Sequence, residues 1–147
     1  MKDKNLAYFV FAAIIVVVLD QLTKHFVLKY LLVGASVPLL GNFLALSHIT
    51  NTGAGFGIFK GFNSALSFFS LFVIGLIIYY YDKIPKERMP NLFFGIILGG
   101  AIGNLIDRIR FGAVADFIDF GFFPAFNVAD MALTAGVAGL MIYYWKK

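Results

Sequence analysis

The chain of 147 residues contains no cysteine, which excludes disulfide bonds, thiol catalysis and cysteine metal sites. Histidine is nearly absent too. His25 and His48 are the only two, and no His-Glu-x-x-His motif occurs, so a zinc protease of that type is not expected. No serine lies in a nucleophile elbow, and no phosphate-binding glycine loop with a lysine is present. We therefore expect neither a metal nor a cofactor.

Charge is the second scarce feature. Only 14% of the residues are charged, whereas 61% are hydrophobic and the mean hydropathy is +0.86. A soluble domain of this size could not bury so much apolar surface, so the composition indicates a single integral membrane domain. The net charge is +4, but the basic residues do not form one patch, and no nucleic-acid partner is expected.

Four apolar stretches predict four transmembrane helices, at roughly residues 6–28, 62–82, 90–108 and 127–145. A helix needs about 20 residues to cross the hydrocarbon core. The first and last uncharged stretches are shorter than that, so they reach full length only by including Asp20, Lys24 and Asp130. The N-terminus resembles a signal peptide, but no small-x-small cleavage site follows, and we expect an uncleaved first span.

The distribution of lysine and arginine predicts the orientation. Both ends of the chain and the loop after the second span hold seven of the twelve basic residues, namely Lys2, Lys4, Lys83, Lys86, Arg88, Lys146 and Lys147. By the positive-inside rule these segments are cytoplasmic. The polar residues of the first, third and fourth spans then all fall toward the outer interface.

Residues 31–60 are rich in glycine, and Phe43–Ile49 suits a strand. We expect a small extracytoplasmic β-rich cradle here, resting on the outer leaflet. Residues 111–126 carry six phenylalanines, which we expect at the interface, in lipid or over a site. The predicted fold class is an all-α membrane protein, a four-transmembrane-helix bundle with this cradle.

Asp116 and Asp130 stand out because they flank this aromatic, otherwise lipid-compatible sequence. Ionisable groups in or beside membrane spans are costly and are functional suspects by default. Two converging carboxyls can share one proton and activate a water, as in aspartic proteases. The structural alternative is that Asn127 caps the fourth span and Asp130 complements its dipole. Asp119 is expected to be exposed.

The other polar motifs have structural alternatives as well. Asp20 and Lys24 share a helix face and form either a structural pair or part of the site. Asn51 and Gly53 belong to a turn, which a functional interpretation would use to hold a peptide.

On the third span, glycines recur every four residues at Gly95, Gly99 and Gly103, a spacing that allows close helix packing. Asn104, Asp107 and Arg108 follow on one face, as a polar network that could fix the geometry of the site.

Read together, five motifs resemble the lipoprotein signal peptidase (signal peptidase II) family. They occur in this order: Asp20-Gln21-Leu22-Thr23-Lys24, Asn51-x-Gly53, Gly99-Gly100-x-x-Gly103-Asn104-x-x-Asp107-Arg108, Val114-x-Asp116-Phe117 and Phe126-Asn127-x-Ala129-Asp130. Each motif is weak alone, but five in order are highly specific. One departure is Gly55, where the family more often has alanine.

The resemblance implies a monomeric, multi-pass aspartic endopeptidase of the bacterial inner membrane, with both termini cytoplasmic and the active site near the outer face. Its substrate would be a diacylglyceryl-modified prolipoprotein, cut just before the lipidated cysteine, and membrane lipid would surround it. Asp116 and Asp130 would be catalytic. The supporting residues would be Asp20, Lys24, Asn51, Gly53, Asn104, Asp107, Arg108 and Asn127. The alternative is a small proton- or ion-conducting or structural membrane protein built from the same polar residues.

Overall fold

The computed structural model describes residues 4–53 and 61–147, and these contain four α-helices and a small sheet, which packs against α1 and α3. Helix α1 spans Lys4–Tyr30, α2 Asn63–Tyr79, α3 Arg88–Phe111 and α4 Val128–Trp145. The strands are β1 (Ser36–Leu40), β2 (Leu44–Asn51) and β3 (Val114–Asp119), and a short 3-10 helix covers Tyr81–Lys83.

The helices carry the apolar character of the chain. In the described part of the chain, α1, α3 and α4 are long and apolar enough to cross a membrane, and α2 is a shorter apolar helix of 17 residues. Large apolar side chains point away from the bundle, with Phe11 64%, Phe68 72% and Met141 68% exposed. Exposed apolar surface of this extent suits helices surrounded by lipid.

Helix α3 is central, since it packs against α1, α2 and α4. Its glycines permit this packing. A Cβ added to Gly99 would lie 2.7 Å from the carbonyl oxygen of Ala13, and one on Gly100 would lie 2.6 Å from that of Ala129. The helix backbones therefore approach more closely than any side chain would allow, as the glycine spacing predicts.

The three strands form one antiparallel sheet in the order β1-β2-β3. Strand β2 lies where the sequence predicts a strand, but β3 arises in the aromatic segment and was not predicted. Pairing of Ile49 with Asp116 places β3 beside β2, so the catalytic candidate lies on a strand rather than in a loop. Residues 54–60 of the predicted cradle, including Gly55, lie outside the described residues.

Candidate active site

A cavity of about 630 Å³ opens between the sheet, the end of α3 and the start of α4. Asp116 and Asp130 both line it, so the structure brings together two carboxyls that are fourteen residues apart in sequence. Asn51, Gly53, Asn104 and Arg108 line the same cavity.

Asp116 lies in β3 and is only 2% exposed. The side-chain amide of Asn127 donates to its Oδ1 at 2.7 Å, and that of Asn51 donates to its Oδ2 at 2.9 Å. Burial raises the pKa of Asp116 to about 6, the hydrogen bond from Asn51 opposes the rise, and the nearby Asp130 carboxyl adds to it. This carboxyl therefore gains or loses its proton much closer to neutral pH than an exposed aspartate would.

Asp130 lies in the first turn of α4, and Asn127 is the N-cap of that helix. The Asn127 side chain accepts a hydrogen bond from the Asp130 backbone N–H at 2.9 Å, and the two residues form a capping box. The structural interpretation of Asn127 is thus confirmed, but it is incomplete. The NH2 group of the same side chain also donates to Asp116, so Asn127 connects Asp116 to the start of the helix that carries Asp130.

Behind the two carboxyls lies a fully buried ion cluster. Lys24 is 1% exposed, and its ammonium contacts Asp20 at 2.8 Å and Asp107 at 3.0 Å. Its third partner is Asn104 Oδ1 at 3.0 Å. Because the ammonium can only donate, it fixes the orientation of the Asn104 amide, whose NH2 group then donates to Asp130 Oδ1 at 2.8 Å.

The carboxylates of this cluster also hold backbone groups. Asp20 Oδ1 accepts from the N–H of Ala129 at 2.9 Å, and Asp107 Oδ2 accepts from the N–H of Ala115 at 3.3 Å. Ala129 and Ala115 immediately precede Asp130 and Asp116. Each buried carboxylate therefore fixes the backbone one residue before a cavity carboxyl. The Asp20–Lys24 pair is thus a structural ion pair that also orders the site, so both interpretations apply.

Arg108 and Asn51 complete the wall. Arg108 is half-buried, and its guanidinium interacts electrostatically with Asp130 and Asp116 and less strongly with Asp107, which forms its ion pair with Lys24. The backbone N–H of Gly53 donates to Asn51 Oδ1 at 2.9 Å. This bond turns the NH2 group of Asn51 toward Asp116.

Asp119 differs from its prediction. It was expected to be exposed, but it is half-buried and accepts a hydrogen bond from Ser47 at 2.9 Å, because the unpredicted strand β3 carries it beside β2.

Gln21 contributes to the buried cluster, although it was not among the predicted site residues. Its side-chain amide donates to Asp107 Oδ1 at 3.0 Å and to the carbonyl of Gly103 at 3.2 Å. Its position within the motif Asp20-Gln21-Leu22-Thr23-Lys24 was the signal that could have identified it.

The chemistry available here is that of paired carboxyls. One ionised and one protonated carboxyl on the wall of a cavity can activate water and polarise a carbonyl. Within residues 4–53 and 61–147, no group of three or more histidine or acidic side chains is arranged to hold a metal ion.

The chain is similar to known proteins in both sequence and structure. The family model described as signal peptidase (SPase) II matches residues 12–146. The lipoprotein signal peptidase of Halothermothrix orenii is 40% identical over 134 residues, covering 91% of this chain and 92% of the relative. That of Caldanaerobacter subterraneus is 48% identical over 124 residues, covering 82% of this chain and 84% of the relative.

Two solved structures of a bacterial membrane enzyme, determined in meso at 2.3 and 1.9 Å resolution, have the same fold. The first superposes with a TM-score of 0.88 at 31% identity and covers 94% of this chain and 87% of that one. The second has a TM-score of 0.85 at 30% identity and covers 95% and 93%. The chain therefore belongs to the signal peptidase II family, membrane proteases that remove signal peptides from prolipoproteins.

Proposed function

We propose that this protease uses Asp116 and Asp130 as an aspartic dyad. The observation that carries the proposal is their shared position on one cavity wall, with Asn127 hydrogen-bonded to Asp116 and to the start of the helix that carries Asp130. The ionised carboxyl takes a proton from water, which attacks the scissile carbonyl. The protonated carboxyl hydrogen-bonds the carbonyl oxygen and then protonates the leaving amine. General acid–base steps of this kind contribute about 10²- to 10⁴-fold each.

The neighbouring residues keep the dyad in place. Asn104 and Asn127 orient the two carboxyls, and Asn51 holds the second oxygen of Asp116. Arg108 lies close enough to stabilise negative charge as it develops in the cavity. The buried cluster of Asp20, Lys24 and Asp107 does not touch the substrate and acts by fixing the backbone before each catalytic residue.

The substrate class follows from the family and from the cavity wall. Curated relatives bear the name lipoprotein signal peptidase, and a diacylglyceryl-prolipoprotein, cut just before its lipidated cysteine, is the substrate we propose. Beyond Asp130 the cavity follows α4 along Met131, Thr134, Ala135 and Ala138. These four residues are exposed on α4. An opening of this mostly apolar groove toward lipid would let an acylated, membrane-bound peptide reach the dyad without leaving the bilayer.

We further propose that the enzyme is a monomer that crosses the bacterial inner membrane four times and is surrounded by membrane lipid. Helix α2 has 17 residues and is therefore about 26 Å long, close to the thickness of a hydrocarbon core of about 30 Å. The bias of lysine and arginine supports cytoplasmic termini, with the dyad and the cradle at the outer face.

The test compares two precursors with the purified protein in lipid vesicles. One is a diacylglyceryl-modified prolipoprotein, and the other is the same polypeptide without the lipid. We expect cleavage of the first only, with the modified cysteine as the new N-terminus by mass spectrometry. Equal cleavage of both, or a cut elsewhere, would refute the proposed specificity.

A further inference from the structure

Asp119 is an acidic residue that the proposed catalytic mechanism does not use. It ends β3, three residues after Asp116, and alternation of side chains along a strand directs the two to opposite faces of the sheet. Its Oδ2 accepts a hydrogen bond from Ser47 at 2.9 Å, and the Ser47 hydroxyl lies 2.9 Å from that of Ser36. The three side chains thus form a row across all three strands.

The other oxygen of Asp119 holds the segment that follows the sheet. Asp119 Oδ1 accepts from the backbone N–H of Gly121 at 2.8 Å. Gly121 has a φ of 72°, a left-handed conformation that glycine adopts without strain, and here the chain turns back. Asp119 therefore connects the buried hydroxyl of Ser47 to the first turn of residues 120–126.

Residues 120–126, which we call the aromatic loop, follow the sheet, and the second half of this loop lines the catalytic cavity. Its far end is fixed by an isolated bridge, in which Phe126 and Ile118 exchange backbone hydrogen bonds of 3.1 and 2.9 Å. Phe123, Pro124, Ala125 and Phe126 line the cavity. At the near end, the hydrogen bond from Gly121 to Asp119 connects the loop to strand β3. The hydrogen bond of 2.8 Å from the N–H of Phe122 to the carbonyl of Phe120 lies within the loop.

We infer that Asp119 is a positioning residue, which with Ser47 holds the aromatic loop as a preformed wall for the substrate. This inference rests on the proposed function. A preformed wall reduces the ordering cost that the substrate meets on binding. Loss of the Asp119 contacts therefore acts on substrate binding. Asp116, which faces the other side of β3, keeps its hydrogen bonds to Asn51 and Asn127, and Asp130 on α4 keeps its hydrogen bond to Asn104.

The experiment measures kcat and KM for a diacylated prolipoprotein with wild type, Asp119→Ala, Asp119→Asn and Ser47→Ala. Asp119→Ala is expected to raise KM about tenfold, the effect of losing hydrogen bonds to a charged group, with kcat changed less than about twofold. Asp119→Asn can still accept from Gly121 and donate to Ser47, so it should restore KM to within about threefold of wild type. Asp82→Ala, at the exposed end of the α2–α3 connection, is the matched control and should have no effect.

Hydrogen exchange gives a readout that does not depend on catalysis. In Asp119→Ala the amides of Gly121 and Phe122 should exchange faster, whereas those of α3 and α4 should not change. Should this variant fail to fold, Ser47→Ala provides the test, because it removes the hydrogen bond from Ser47 to Asp119 but keeps the one from Gly121. Ser47→Ala must then raise KM and the exchange rate of the aromatic-loop amides, to a smaller extent than expected for Asp119→Ala. Wild-type KM and exchange in the folded variants would overturn the inference. If the wild-type protein itself fails to cleave, the proposed function is refuted instead.

Discussion

The substitution Lys24→Met is the most informative test of how the site is held together. Lys24 is 1% exposed, and its partners Asp20 and Asp107 are 0% and 1% exposed. Methionine fills a similar volume but leaves two buried carboxylates without their cation. Removal of one member of a buried ion cluster costs about 3–5 kcal/mol. We therefore expect Lys24→Met to lower the free energy of unfolding by that amount.

The matched control lies on the same helix. Lys29→Met makes the same substitution at an exposed position, where the ammonium lies 5.3 Å from the ring of Tyr30. Such an exposed cation–π contact is worth about 0.5–1 kcal/mol. Unfolding of both variants by titration with sodium dodecyl sulfate in mixed micelles, followed by far-UV circular dichroism, measures the difference. Equal losses for the two variants would refute the role of the buried cluster.

Three further predictions follow from the same contacts. Burial raises the pKa of Asp116 to about 6, so the dyad loses its shared proton as the pH rises through that value. Above that pH, kcat/KM should therefore fall about tenfold per pH unit. A flat profile of kcat/KM from pH 6 to 8 would contradict this. Asn127→Ala removes the cap of α4 and the 2.7 Å hydrogen bond to Asp116. We expect the free energy of unfolding to fall by about 0.5–2 kcal/mol and kcat to fall as well. A loss of stability with unchanged kcat would show that Asn127 is only a cap and would contradict its role in holding Asp116. Gly103→Ala places a Cβ 2.5 Å from a carboxylate oxygen of Asp20 and should lower the free energy of unfolding by about 1–3 kcal/mol. In Gly75→Ala the new Cβ meets nothing within 4 Å, so this control should be slightly more stable than wild type. The same detergent titration ranks the two variants, and the reverse order would argue against close packing at α3.

The sequence was most informative where physical constraints act locally. Membrane spans must be long and apolar, so the shortage of apolar residues around Asp20 and Asp130 predicted that these groups lie within helices. In the structure both do: Asp20 accepts a hydrogen bond from the N–H of Ala129 on α4, and Asp130 accepts one from Asn104 on α3. Gly99 similarly predicted a close helix contact, since its spacing alone specifies one helix face.

Contacts between distant segments could not be predicted in this way. Residues 114–119 become a strand only because β2 supplies hydrogen-bonding partners from more than 60 residues earlier in the chain. The phenylalanines around them indicated only a position at the interface, in lipid or over a site, and not a strand. The burial of Asp119 depends on that same pairing. The double role of Asn127 was equally hidden, since a cap motif does not reveal which other side chain the amide will hold.

The central claim is that Asp116 and Asp130 act as one proton-sharing pair, and cleavage of a diacylated prolipoprotein by purified Asp116→Asn and Asp130→Asn tests it most directly. Asp82→Asn, the same substitution at an exposed site, serves as the control, and circular dichroism establishes that all variants are folded. We expect both cavity variants to lose cleavage while the control retains it. Processing at near wild-type rate by either folded cavity variant would contradict the account.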